Sequence, residues 1–221
     1  MALLRKKLRA GALPPDEGLA RCLQQMGEGL GYASSNLEKV ARLIEGFKQV
    51  AVDQTSDPRQ GFDLHFFLDE IASSLKPILR KGGHEIRIGV PEPILLDSFP
   101  GALSQIVTNI VMNAVVHGFD GRTGGLVRIE AEMEGSSMCR LVIEGDGRGM
   151  SPAVTRRVFE PFFTTRRGEG GGVLGLHIVY NLVTQRMGGL VTCESGEGRG
   201  TRFVLRLPLS AGGGLREAAA H

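Results

Sequence analysis

Asn109 and Asn113 stand four residues apart in Gln105-Ile-Val-Thr-Asn109-Ile-Val-Met-Asn113-Ala114. On a helix that spacing puts both amides on one face, with Ile106, Val107 and Ile110 on the buried side. Both side chains can then reach one ligand. An amide oxygen is a hard donor suited to a cation such as Mg²⁺. Asparagines that only cap or face solvent are the plainer alternative. Further along, Gly145-Asp-Gly147-Arg-Gly149-Met150 sets glycines where the backbone can turn sharply. Gly168, Gly170, Gly171, Gly172 and Gly175 lead into a helical pattern. A glycine-rich run that opens a helix allows close backbone approach, and its amides and the helix dipole favour anions. Phe159, Phe162 and Phe163 lie between these two segments and read as packing residues more than ligand contacts.

These residues need elements to hold them. The periodicity predicts helices near 66–79, 100–117 and 175–187, a short helix after Ser151-Pro152, and strands near 85–90, 127–133, 139–144, 190–194 and 201–207. Strands backed by helices make an α/β sandwich, here placed at 62–208. Residues 209–221, rich in small side chains, read as a flexible tail. Upstream, Leu19, Leu23, Met26, Leu30, Ala33, Leu37, Val40, Ile44, Phe47 and Ala51 follow at alternating steps of four and three. Such a heptad seam buries itself against another helix, and a homodimer through residues 19–51 is the expectation. A helix packed on its own domain is the alternative. Gly27, Gly29 and Gly31 weaken its middle. Leu3–Leu8 and the turn-forming run 11–18 suggest that the chain enters partway through a helical hairpin, placed at 1–57.

The whole-chain figures narrow the class. Twenty-six basic residues against 24 acidic ones leave a net charge of +2, with no basic run to speak for nucleic acid. Cys22, Cys139 and Cys193 form neither a C-x-x-C pair nor a disulfide framework, which fits a reducing, cytoplasmic setting. No stretch has the length and apolarity of a membrane span, so any membrane attachment would lie in missing parts of a longer protein.

Four patterns occur in fixed order: Gln105–Ala114, Gly145–Met150, Phe159-Glu-Pro-Phe162-Phe163-Thr-Thr165-Arg166 and Gly170-Gly-Gly-Val-Leu174-Gly175-Leu176. Together they resemble the N, G1, F and G2 boxes of two-component sensor histidine kinases, and Gly196–Phe203 resembles the closing glycine-Thr-x-Phe piece. The resemblance implies an α+β fold, a two-layer α/β sandwich of the Bergerat ATP-binding type, preceded by a long dimerisation helix. It implies ATP and Mg²⁺ as cofactors, with Asn113 holding the ion that bridges the phosphates. Asn109 sits where ATP-hydrolysing relatives carry a glutamate base, and a neutral amide cannot deprotonate water. The implied nucleotide contacts are His117, Asp146, Gly147, Gly149, Arg166, Gly170, Gly171, Gly172, Gly175, Leu176 and Thr201. His117 is a phosphate contact or a C-terminal cap. Arg166 would reach the phosphates from a lid, and Thr201 would complete the adenine site with a water. The implied partner is the receiver domain of a response regulator.

Three departures stand against that pattern. The adenine-reading box is normally Asp-x-Gly-x-Gly, and counting back from Gly147 and Gly149 puts the aspartate at 145, which is glycine. Strand alternation agrees: Leu141 and Ile143 are the inward residues, so 145 points inward and Asp146 outward. Val173 replaces a glycine of the last box. None of the five histidines lies on the heptad helix. A phosphate-accepting histidine is therefore expected outside this chain. The expected activity is transfer of the ATP γ-phosphoryl group to a protein histidine. A degenerate pseudokinase acting as a scaffold is the alternative.

Overall fold

The computed structural model describes residues 24–31, 57–161, 163 and 175–211. Most of the heptad seam, together with Arg166, Gly170, Gly171, Gly172 and Val173, lies outside these residues. The chain divides into two compact units, Met1–Lys48 and Gln49–His221. In the first, residues 24–31 are helical straight through Gly27 and Gly29, and Met26 and Leu30 are exposed.

The second unit is a sheet covered on one face by helices. Its elements run β1 (Gln60–Asp63), α1 (Leu64–Lys81), β2 (Glu85–Gly89), β3 (Leu95–Ser98), α2 (Pro100–Asn113), β4 (Leu126–Glu134), β5 (Met138–Gly145), α3 (Pro152–Thr155), α4 (Gly175–Asn181), β6 (Leu190–Ser195) and β7 (Thr201–Pro208). Five strands form the main sheet in the order β2-β4-β5-β7-β6, parallel only between β2 and β4. This is the expected two-layer α/β sandwich.

Period-two alternation sorts the two faces. Cys139, Leu141 and Ile143 of β5 and Phe203, Leu205 and Leu207 of β7 are buried, while Arg140, Glu144, Arg202 and Arg206 fall on the opposite phase. Those outer charges answer one another across strands, Arg140 with Glu132 at 2.7 Å and Arg206 with Glu134 at 2.9 Å. The helices meet the inner face with residues one turn apart: Leu64, Leu68, Ile71, Leu75 and Leu79 from α1, and Leu103, Ile106, Val107, Ile110 and Val111 from α2. Asp63 caps α1 by accepting from the amides of His65 and Phe66.

Two short strands were not legible in advance: β1 and β3 pair antiparallel, Gln60 opposite Ser98. The tail boundary also moves. Asp97 donates its amide to the Leu209 carbonyl and accepts at its own carbonyl from Ala211, so 209–211 are part of the folded unit rather than tail. Arg59 adds an ion pair with Asp97 at 2.6 Å and a bond to Ser210. Both helices that carry motifs end in a wider π-type turn, Ala114–Gly118 after α2 and Leu182–Arg186 after α4, a feature often found at functional sites.

Candidate functional site

A cavity of about 480 Å³ opens between the end of α2, the ends of β5 and β7, α3 and the start of α4. Its apolar lining includes Ile110, Ala114, Phe119, Val127, Ile143 and Phe203, a surface suited to a flat ring. Asn113, His117, Thr201 and His177 bring polar atoms to it.

The wall between the strands depends on glycine. Gly149 has φ +70°, and a Cβ there would lie 1.9 Å from the Gly196 carbonyl oxygen. A Cβ on Gly147 would lie 2.6 Å from the Gly118 oxygen. Only bare backbone can pass at both places, and the Arg148 amide, donating to Gly118 at 3.0 Å, fixes the crossing. Thr201 stands opposite Gly145 in the β5–β7 register. Its hydroxyl is 2.8 Å from Ser195 Oγ, which also donates to the Gly200 carbonyl and accepts from the Met150 amide.

Asn109 and Asn113 do share one face, and the start of α4 lies against it. A Cβ placed on Gly175 would be 3.7 Å from Asn113 Nδ2 and 4.0 Å from Asn109 Oδ1. Asn113 lines the cavity. Asn109 sits one turn deeper, its Nδ2 buried with no hydrogen-bond partner among the described residues. A buried N–H without an acceptor is costly, and it suits an anionic oxygen or a water brought to this end of the cavity. No group of three or more histidine, cysteine, aspartate or glutamate side chains among the described residues could hold a metal ion. A divalent cation here would rest on the Asn113 amide oxygen and on phosphate oxygens, a mode Mg²⁺ accepts.

Residues 100–211, half of the chain, match the family of histidine kinase-, DNA gyrase B- and HSP90-like ATPases. The chain belongs to that family. Among its relatives, the two-component sensor PprA of Pseudomonas aeruginosa is 34% identical over 134 residues, covering 58% of this chain and 14% of PprA. The chain thus spans a small part of that relative. The catalytic domain of the histidine kinase ThkA superposes with a TM-score of 0.61 at 21% identity, over 70% of this chain and 97% of ThkA's, a likeness of fold. Full-length ShkA, solved in complex with AMPPNP, gives a TM-score of 0.58 at 31% identity, over 69% of this chain and 31% of its own. The domain is thus an ATPase-family domain similar in sequence to two-component sensor histidine kinases, and a domain of this family implies ATP as ligand.

In this domain the candidate residues fall into four groups. Asn113, His117, Gly147, Gly149, Leu176 and Thr201 line the cavity; Asn109 and Gly175 stand against each other beside it. Arg166, Gly170, Gly171 and Gly172 lie outside the described residues. Asp146 is not part of the cavity lining. Its Oδ1 accepts from the Leu126 amide at 2.8 Å, its Oδ2 lies 3.2 Å from Arg122, and its carbonyl takes a second Arg122 bond at 2.5 Å. The carboxylate ties the end of β5 to the start of β4. Position 145, which does face the cavity, has no side chain. The cavity thus fits a purine's faces and phosphates better than it fits adenine's amino group, for which no carboxylate is supplied at that point.

His177 was missing from the sequence-derived set. Its Nδ1 is 3.1 Å from the Phe159 carbonyl, so that nitrogen carries the proton, and Nε2 accepts from Asn181 Nδ2 at 3.1 Å. It thereby ties the F-box segment to α4 at the cavity wall. The i, i+4 pair His177 and Asn181 was the available signal.

Proposed function

We propose that the chain is the catalytic and dimerising region of a sensor histidine kinase, which transfers the ATP γ-phosphoryl group to a protein histidine. The observation that carries this reading is the convergence of Asn109, Asn113 and the α4 start at Gly175 on one end of an apolar cavity. A ring in the cavity leads its phosphates toward those amides. Asn113 would hold Mg²⁺, which supplies charge neutralisation to the phosphates. Asn109 is a neutral amide and takes no proton from water, which favours transfer to a protein nucleophile over hydrolysis. The AMPPNP complex of ShkA supports the same ligand class. None of the five histidines lies on the heptad helix, and the phosphoryl group passes from the acceptor histidine to the receiver domain of a response regulator.

We place the dimer contact on residues 19–51, supported by the heptad spacing and by the exposure of Met26 and Leu30. Cytoplasmic placement is supported by the unpaired cysteines Cys139 and Cys193. No helix among the described residues is long and apolar enough to cross a membrane.

A second reading, a pseudokinase that serves as a scaffold, draws on Gly145 and on the engagement of Asp146 elsewhere. Calorimetric titration with Mg-ATP and Mg-ADP separates the two. The kinase reading expects saturable binding, weakened by the missing carboxylate. No heat of binding with either nucleotide would leave the scaffold reading.

A further inference from the structure

The helix that carries Asn109 and Asn113 starts without a cap of its own. Phe99 at its N-cap makes no side-chain hydrogen bond, and Pro100 has no amide hydrogen. The next two amides, those of Gly101 and Ala102, donate to the two carboxylate oxygens of Asp57, each at 3.0 Å, from 44 and 45 residues away. The same aspartate meets the far end of the other motif helix. Arg186, which closes the π turn after α4, donates from Nη2 to the Asp57 carbonyl at 2.7 Å and lies 3.6 Å from Oδ2. Its guanidinium lies over the Phe99 ring at 4.3 Å. Both side chains are 12% exposed, so solvent screens the pair little. Gly101 leaves room for it: a Cβ there would come 2.9 Å from Asp57 Cγ.

These contacts give α2 and α4 an antiparallel arrangement. One end of the pair is held by Asp57, and the other, Asn109 and Asn113 against Gly175, borders the cavity. A rigid helix carries a shift of one end to the other. We infer that Asp57 is a positioning residue for the nucleotide site, setting the relation of the Asn109 and Asn113 amides to the start of α4 from the opposite end of the helix pair.

The test uses the full chain and the variants Asp57→Ala, Asp57→Asn and Gly101→Ala, the last excluding the carboxylate without changing it. Amide hydrogen exchange, read without nucleotide, should rise at residues 109–113 and 175–179 in Asp57→Ala and Gly101→Ala, and less in Asp57→Asn, whose amide oxygen still accepts one bond. Affinity for Mg-ATP, measured well below each variant's unfolding midpoint, should fall about fivefold in the first two, the low end of usual site-to-site coupling. Faster exchange confined to residues 99–104 with unchanged affinity would reduce Asp57 to a local cap and overturn the inference. The affinity arm rests on the nucleotide reading above. A wild-type chain that binds no Mg-ATP would refute that reading, and exchange at 109–113 and 175–179 would still decide the role of Asp57.

Discussion

Gly145 on β5 faces Ala114 just past the end of α2: a side chain begun at 145 would set its Cβ 3.3 Å from the Ala114 methyl and 3.8 Å from Phe119 Cζ. Of the two carboxylates that flank it in sequence, Asp146 is spent on Leu126 and Arg122 and Glu144 lies 3.8 Å from Arg202. The cavity-facing position and the strand-end bonding thus fall to adjacent residues on opposite phases of β5.

Gly145→Asp should restore preference for ATP over GTP by about tenfold or more, since a buried amino group regains an acceptor worth about 1–3 kcal/mol and 1.4 kcal/mol is one decade. Ala114 must yield by a few tenths of an ångström, and adding Ala114→Gly should relieve any loss of midpoint. Competition titrations of ATP against GTP read the result; equal affinities in the variant would show that position 145 does not read the base.

Asp146→Ala should behave differently. Removing the acceptor for the Leu126 amide should destabilise the domain by about 1 kcal/mol, a modest figure because the carboxylate is partly exposed and its pairing with Arg122 is screened. The ATP-to-GTP ratio should not move. Denaturant unfolding paired with the same titration checks both, and a changed ratio would return Asp146 to the nucleotide site.

Incubated with Mg-ATP, the isolated chain should not label itself on histidine. Its five histidines are His65, His84, His117, His177 and His221, none of them on the heptad helix. His84 is buried, accepting from the Gly125 amide, and both ring nitrogens of His177 are engaged. Acid-labile phosphate on this chain would contradict the expectation.

Association should run through the seam. Leu37→Asp places a charge in the middle of it and should shift the chain toward monomer in sedimentation at micromolar concentration. An unchanged sedimentation coefficient, or a wild-type chain that is strictly monomeric, would remove residues 19–51 as the interface.

Burial pushes the thiols of Cys139 and Cys193 up to about 12, with Glu132 and Glu194 adding to it. Iodoacetamide at pH 8 should therefore spare both in the folded chain and reach both after denaturation. The folded state holds these protons more tightly than the unfolded state, whose thiols titrate near 9.0. The contribution to stability is present below pH 9 and is lost as pH rises from there toward 12. Thermal midpoints across that range should fall less in Cys139→Ala than in the native chain.

Much of this site is legible in the sequence. The i, i+4 spacing of Asn109 and Asn113 and the alternation of Leu141, Ile143 and Gly145 are local, because the 3.6-residue and two-residue repeats of the backbone determine which face each side chain takes. The five main strands and the three longer helices followed from the same repeats, with ends displaced by a few residues. The tertiary structure alone decided what depends on partners far along the chain. The strands β1 and β3 are four residues each, too short to show a pattern, and exist because Phe62 lies opposite Leu96. Asp57 reads as the last residue of the hairpin region until chain closure brings Gly101 and Arg186 to it across 44 and 129 positions. Asp146 differs again: its outward direction follows from alternation, but its bonds to Leu126 and Arg122 follow only from the pairing of β4 with β5. Local repeats determine direction; which group waits there is decided by closing the chain, whose cost rises only slowly with the length of the loop.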